Sequence, residues 1–312
     1  MRTDKQAIKL RNSQWDKNPL IPGWVDIETV GLDQFFTRPE IAALCHKSLK
    51  DLMGEDGAKE QDYKFVEPSA GAGAFYDLLP DHRRVGIDIV PMNSEYISQD
   101  FLSWSPKKNG YRYTAIGNPP FGYRAWLALA FMNHAATFCD YVGFILPMAF
   151  QSEGKGSPKH RVDGLRLVHS EILPRDSFTD KNGEPVKINA LWQVWHRGVN
   201  NMRYPSFNGK WIDIFSIDNN PQRLCGHHRM SEADCFLTRS FFSNTPSIVH
   251  DFRDVSYGGG HGIVIKKGKK KILDALFQAD WIRFSNLAAH GCRHISKHHI
   301  YAALTHAGYS DS

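Results

Sequence analysis

The run Gly117-Asn118-Pro119-Pro120-Phe121-Gly122 directly follows a short apolar segment, Thr114–Ile116. Two consecutive prolines remove two backbone donors and fix φ twice. The residue before each proline is pushed out of the helical region. The product is a rigid turn whose carbonyls, together with the side-chain oxygen of Asn118, stand as fixed hydrogen-bond acceptors. An amino group with two hydrogens needs two such acceptors. Phe121 adds a flat apolar face on which a ring can stack. The chemistry that suits this turn is modification of an exocyclic amine on a planar ring. Asn118, Pro119, Pro120 and Phe121 are therefore the candidate catalytic residues.

A second motif, Glu67-Pro68-Ser69-Ala70-Gly71-Ala72-Gly73-Ala74-Phe75, closes an earlier apolar run. Gly71 and Gly73 permit a tight turn and a close backbone approach to a ligand. The third glycine of the dinucleotide fingerprint is missing, with Phe75 near its place, so a pyrophosphate cradle is the poorer reading. Asp88 ends the next apolar run, 17 residues after Gly71. An acid about 20 residues beyond such a turn is placed to bind a ribose diol. Asp100 and Phe101 close a further segment, where an acid and an aromatic ring suit an adenine. Glu67, Ser69, Gly71, Gly73, Asp88, Asp100 and Phe101, with Asn118 of the first motif, are the candidate cofactor-binding residues.

In order and spacing these motifs resemble the class I S-adenosylmethionine (SAM)-dependent methyltransferases that modify adenine N6, in the motif order called gamma. The resemblance covers roughly residues 31–198. It implies that the Asn-Pro-Pro-Phe turn holds the target amino group beside the cofactor, and that the glycine motif holds the methionine part. It also implies a preceding Phe-x-Thr-Pro motif at the cofactor carboxylate. Phe35-Phe36-Thr37-Arg38-Pro39 sits in that place, with Arg38 where the family commonly has its proline, and Phe36 and Thr37 are carried over as cofactor contacts. A target-base contact is implied in the loop after the sixth strand, and Phe178 is the candidate. The activity implied is DNA adenine-N6 methylation, of restriction-modification or orphan type, on a base rotated out of the duplex. An RNA adenine-N6 methyltransferase would share every catalytic motif. A protein glutamine-N5 methyltransferase usually carries Asn-Pro-Pro-Tyr, against Phe121 here.

Short apolar runs alternate with helical patterns from residue 63 onward. Tyr63–Val66, Val85–Ile89, Thr114–Ile116 and Tyr141–Leu146 read as buried strands, and Ala74–Leu79 and Arg124–Phe138 as helices. Such alternation predicts a parallel sheet with both faces covered. Leu167–Leu173 and Ile188–His196 are joined by too few residues for a crossover helix, which predicts an antiparallel pair. The fold class expected is α/β: a Rossmann-like, doubly wound methyltransferase sheet with a smaller α+β C-terminal DNA-recognition domain. The divisions expected are an N-terminal extension over 1–30, a SAM-dependent catalytic domain over 31–198 and a target-recognition domain over 199–312. In the last, a helix is predicted through Ile272 and Leu276, and another capped by Ser296.

The net charge of +5 is unevenly spread: residues 1–150 carry −2 and residues 151–312 carry +7, with 12 of the 15 histidines. A basic second half suits a polyanion. Lys155, Lys159 and Arg161 read as a mobile basic loop. Lys266, Lys267, Lys269, Lys270 and Lys271 are candidate phosphate contacts, giving affinity without sequence information. Double-stranded DNA is thus the expected partner, for a monomer or homodimer, and the resemblance allows a cognate restriction endonuclease beside it. Cys225, His227, His228, Cys235, His290, Cys292, His294, His298 and His299 include no CxxC pair, and no metal is expected. The polar N-terminus, the lack of a membrane-length apolar run and five cysteines without framework spacing predict a cytoplasmic protein; the resemblance implies one that is bacterial or phage-encoded.

Overall fold

A computed structural model describes residues 4–31, 35–107, 110–152, 156–202, 209–220 and 226–310. The chain divides into two compact units: one of residues 1–150 and 158–202, the other of residues 151–157 and 203–312.

The first unit holds helices α1 (Asp4–Trp15), α2 (Pro39–Glu55) and α3 (Trp126–Ala136). Its strands are β1 (Phe36–Thr37), β2 (Tyr63–Glu67), β3 (Arg84–Asp88), β4 (Ile97–Ser98), β5 (Arg112–Gly117), β6 (Cys139–Pro147), β7 (Leu165–Ile172), β8 (Phe178–Thr179), β9 (Pro185–Val186) and β10 (Ala190–Arg197). Seven of them form one sheet in the order β4-β3-β2-β5-β6-β10-β7. Neighbours from β4 to β6 are parallel, and β10 runs antiparallel to both β6 and β7. The fold is α/β and Rossmann-like, with a parallel core.

Strand β6 shows why the core runs are continuously apolar. Tyr141 and Ile145 join Leu49 and Cys45 of α2 in one buried cluster. Val142, Phe144 and Leu146, of the opposite parity, are fully buried too. Both faces are covered, so alternation is lost and only the run remains. The helix expected over Ala74–Leu79 is instead a single 3-10 turn, Tyr76–Leu78. Gly73 is left-handed (φ +88°), and Pro80 forces Leu79 into an extended conformation (φ −89°, ψ 149°). Too little chain lies between them for an α-helix. The second expected helix starts late, at Trp126, because Arg124 and Ala125 are also left-handed.

Strands on either side of β2 and β5 are filled in opposite directions: the chain passes from β2 outward to β3 and β4, then returns to β5 and proceeds to β6. The order reverses at this point, and the crevice at the carboxyl ends of the two strands is where open α/β sheets bind ligands. The glycine motif leaves β2 there, and the Asn-Pro-Pro-Phe turn leaves β5.

The second unit is α+β. Strands β11 (Ile212–Asp218), β12 (Cys235–Thr238), β14 (Ile248–Val249) and β15 (Gly259–Ile265) form an antiparallel sheet in the order β11-β15-β12-β14. Strands β13 (Ser240–Phe241), β16 (Asn286–Leu287) and β17 (Arg293–His294) form a second, smaller one. Helices α4 (Lys269–Gln278) and α5 (Lys297–His306) bury Ile272, Leu276, Ile300 and Leu304 against Ile212, Ile214 and Ile263. Ser296 caps α5 through a reciprocal box with His299. No helix among the described residues is long and apolar enough to cross a membrane.

Candidate active site

The glycine turn is pinned at both ends. The N–H of Ala70 donates to the Ile87 carbonyl at 2.9 Å, and that of Gly71 to Asp88 Oδ2 at 2.8 Å. Both glycines have positive φ, and a Cβ on Gly73 would lie 2.8 Å from the Tyr96 hydroxyl, so no larger residue fits. Val90 N–H donates to the other oxygen of Asp88 at 2.9 Å. With the Ile89 N–H also donating, the carboxylate is fixed and keeps lone-pair capacity for a ligand. Burial pushes the Asp88 carboxyl up, and these backbone donors oppose the shift.

This turn, Phe36, Thr37, Glu67, Ser69, Asp88, Asp100, Phe101, Asn118 and Pro120 line a cavity of about 370 Å³. Phe36 lies over the turn, its ring 3.4 Å from where a Gly71 Cβ would stand. The predicted cofactor residues are therefore brought to one place, except that Gly73 shapes the turn without lining the cavity. Glu67 is 3 % exposed, and among the described residues its Oε2 has no hydrogen-bond partner; nor has the buried Thr37 Oγ1. Burial holds the Glu67 carboxyl well above the usual carboxylate range. Asp100 is likewise raised by burial, opposed by the Trp15 indole N–H that donates to its Oδ2 at 2.9 Å. The Phe101 ring is fixed against Phe131 and the edge of His134.

A second cavity of about 100 Å³ is lined by Phe35, Asn118, Pro119, Pro120, Phe121, Phe178 and Ile188. Asn118, Phe35 and Pro120 line both cavities. The Asn118 Nδ2 donates to the Phe35 carbonyl at 3.1 Å, which sets the amide's orientation. Its Oδ1 is buried and has no partner among the described residues. The Asn118 carbonyl accepts from Ser69 Oγ at 3.1 Å, tying the β5 turn to the β2 turn.

Phe178 reaches this wall because β8 pairs antiparallel with β1, Thr37 opposite Phe178 and Phe36 opposite Thr179. Arg38 explains its own presence there. Its N–H donates to the Ser177 carbonyl at 3.0 Å and its guanidinium pairs with Asp176 and Glu40. A proline at 38 would have no N–H for that bond, while Pro39 at the start of α2 loses nothing.

Other positions were not legible as site residues. Phe35, Arg11, Trp15, Phe131 and Lys181 all line the larger cavity. Phe35 adjoins a recognised motif, which was a usable signal. Arg11 and Trp15 lie on α1, whose weakly amphipathic pattern gave none.

The basic residues fall in both units. Lys155 lies outside the described residues. Lys159 is a correction to the open basic loop: it is 8 % exposed, on a 3-10 turn over Pro158–Arg161. That turn is held to α3 by Asn133, which donates to the Arg161 carbonyl and accepts from Asp163 N–H. The Arg161 residue is exposed. In the second unit Lys267, Lys270 and Lys271 are exposed, Lys269 pairs with Asp234 at 2.6 Å, and Lys266 donates to the Gly209 carbonyl at 2.8 Å. Among the described residues no three His, Cys, Asp or Glu side chains converge to hold a metal, and Cys225 lies outside them.

No protein-family model matches the chain, and no curated protein matches it. Several solved structures are similar to part of the chain. A Pyrococcus horikoshii protein whose assignment as an RNA methyltransferase is provisional is 15% identical, over 54% of this chain and 89% of that one, with a TM-score of 0.39. Magnesium protoporphyrin IX methyltransferase from Synechocystis, with bound SAM, is 14% identical over 62% and 95%, with a TM-score of 0.36. An N-methyltransferase from Bradyrhizobium japonicum is 12% identical over 44% and 85%, with a TM-score of 0.28.

Proposed function

We propose that the first unit is a SAM-dependent methyltransferase that modifies the N6 amino group of adenine in DNA. The observation that carries this reading is Asn118: an amide locked through its Nδ2, with a buried, unpartnered Oδ1 where two cavities meet.

The larger cavity fits the cofactor by the chemistry of its donor set. Glu67 offers an unsatisfied carboxylate oxygen to an ammonium group, and Thr37 an unsatisfied hydroxyl to a carboxylate. Asp88 is fixed to receive a diol, and Asp100 with Phe101 to receive an aminopurine. The cavity volume is in the range of small-molecule sites. When bound, the cofactor supplies an electrophilic methyl group on a sulfonium.

The smaller cavity is walled by Phe35, Phe121, Phe178 and Ile188 around a single polar side chain. Stacking there, worth about 1–3 kcal/mol per base, offsets the few kcal/mol needed to rotate a base from its stack. Asn118 Oδ1 and the Pro119 carbonyl accept the two amino hydrogens. An aromatic amine is a poor nucleophile because its lone pair is delocalised into the ring. Two acceptors that favour a pyramidal nitrogen localise that pair and stabilise the charge that develops on it. Fixing the amine at the shared wall supplies orientation. The proton displaced from the methylated, positively charged nitrogen is acidic and passes to solvent, so no carboxylate base is needed.

The basic charge of residues 151–312 and the exposed Lys267, Lys270 and Lys271 support a nucleic-acid partner, bound through phosphates. The test is to offer duplex DNA, RNA and protein to the full chain with methyl-labelled SAM and to follow the label. Incorporation into DNA supports the reading, and label confined to RNA or protein overturns the choice of acceptor.

A further inference from the structure

Helix α1 brings Arg11 and Trp15 into the wall of the larger cavity. Trp15 is 2 % exposed and held on three sides. Its ring meets the edge of Trp126 at 5.5 Å between centroids. The Arg11 guanidinium lies over it at 4.3 Å. Arg11 is itself anchored by the carbonyls of Val30 and Gly31 and the side chain of Asn12. The indole has one donor, and that donor is spent on Asp100 Oδ2 at 2.9 Å.

We propose that Trp15 is a positioning residue that makes the larger cavity selective for a 6-aminopurine, by holding the Asp100 carboxylate in one orientation. This rests on the cofactor reading above. A carboxylate accepts from a 6-amino group and repels a 6-carbonyl oxygen. It discriminates only if it stays ionised and cannot turn away. Asp100 is 3 % exposed and burial opposes its charge, while the Leu102 backbone N–H and the nearby Arg11 and His134 favour it. The indole N–H does two things there: it adds the shorter of two side-chain hydrogen bonds to the anion, and with the Ser103 hydroxyl at 3.5 Å it holds Oδ2, which limits how the carboxylate can turn. Without that donor the carboxyl is freer to rotate or take up a proton, and a protonated acid donates to a carbonyl as readily as it accepts from an amine.

The test uses calorimetric binding of S-adenosylhomocysteine and S-inosylhomocysteine, which differ at the purine 6-position, to full-length wild type, W15F, D100N and W15F/D100N. The wild type should prefer the adenosyl ligand. W15F should lose about tenfold in affinity for it, the scale of one hydrogen bond to a charged group, with little change for the inosyl ligand. In the D100N background W15F should leave the ratio unchanged, as expected of a residue acting through Asp100. Equal weakening of both ligands by W15F, or an unchanged ratio, would overturn the inference while leaving the cofactor reading intact. No binding of either ligand by the wild type would overturn the cofactor reading and the inference with it. If W15F melts below the assay temperature, the indole N–H resonance of Trp15 in the wild type, assigned by its displacement in D100N, decides. It should move differently with the two ligands, and an identical response overturns the proposal.

Discussion

Asn118 and Phe35 are 83 residues apart, yet the amide of one donates to the carbonyl of the other at 3.1 Å. That bond orients the amide: with the Nδ2 engaged, the Oδ1 is the atom left to meet a ligand. Asn118→Ala should remove methyl transfer while leaving cofactor binding near the wild-type value. The loss of one preorganised contact of this type is about 2.7–4 kcal/mol of barrier, or on the order of 10²–10³ in rate. Single-turnover transfer and calorimetric binding of S-adenosylhomocysteine check the two halves separately. A variant that transfers methyl at more than a tenth of the normal rate contradicts the role.

Phe35 is 41 % exposed and lines both cavities. Truncation to alanine should therefore spare the fold and act on the substrate. The expected cost is about 1–3 kcal/mol in kcat/KM, the value of one base-stacking contact. The thermal midpoint should stay within a few degrees of wild type. A large fall in melting temperature with unchanged kcat/KM would show that the ring serves packing alone.

Glu67 links stability to pH. Its folded carboxyl holds a proton well above the ordinary 4.5, because burial opposes the charge. The unfolded chain binds fewer protons in the window above 4.5, so stability falls as pH rises through it. Glu67→Gln removes that contribution. The ligand-free variant should melt above wild type at pH 8, with a smaller difference at pH 5, and should bind cofactor more weakly. Parallel melting curves at both pH values would contradict an unpartnered carboxyl in the site.

His261 gives the opposite sign in the second unit. Its Nε2 donates to the Ile295 carbonyl at 2.9 Å, and its buried Nδ1 has no partner among the described residues. Burial lowers its pKa from 6.5 to about 4. This contribution is fully present above pH 6.5 and is lost as pH falls through 4, roughly 3 kcal/mol in all. His261→Gln keeps a donor and does not titrate. Thermal melts between pH 7 and pH 4 should show a shallower acid loss in the variant, and identical slopes would contradict the assignment.

The parallel core was legible because a strand buried on both faces must be a short apolar run. The Asn118 turn was legible because two prolines leave few conformations. Ala74–Leu79 misled, since an apolar hexamer fits a helical pattern while Gly73 and Pro80 on either side leave room for one 3-10 turn. Lys159 misled because its neighbours suggested an open loop, whereas Asn133 on α3, about 30 residues away, closes the segment. Trp15 and Arg11 were invisible for a related reason. Their place in the site is decided by Asp100 and Gly31, and no local spacing in α1 encodes those partners.

The central claim concerns one atom, the exocyclic nitrogen of adenine. Duplex DNA of mixed sequence, incubated with the full chain and SAM and digested to nucleosides, identifies it by mass spectrometry against standards. The account predicts N6-methyldeoxyadenosine from the wild type and none above background from Asn118→Ala. A methyl group found on cytosine, or an Asn118→Ala yield equal to wild type, would contradict it.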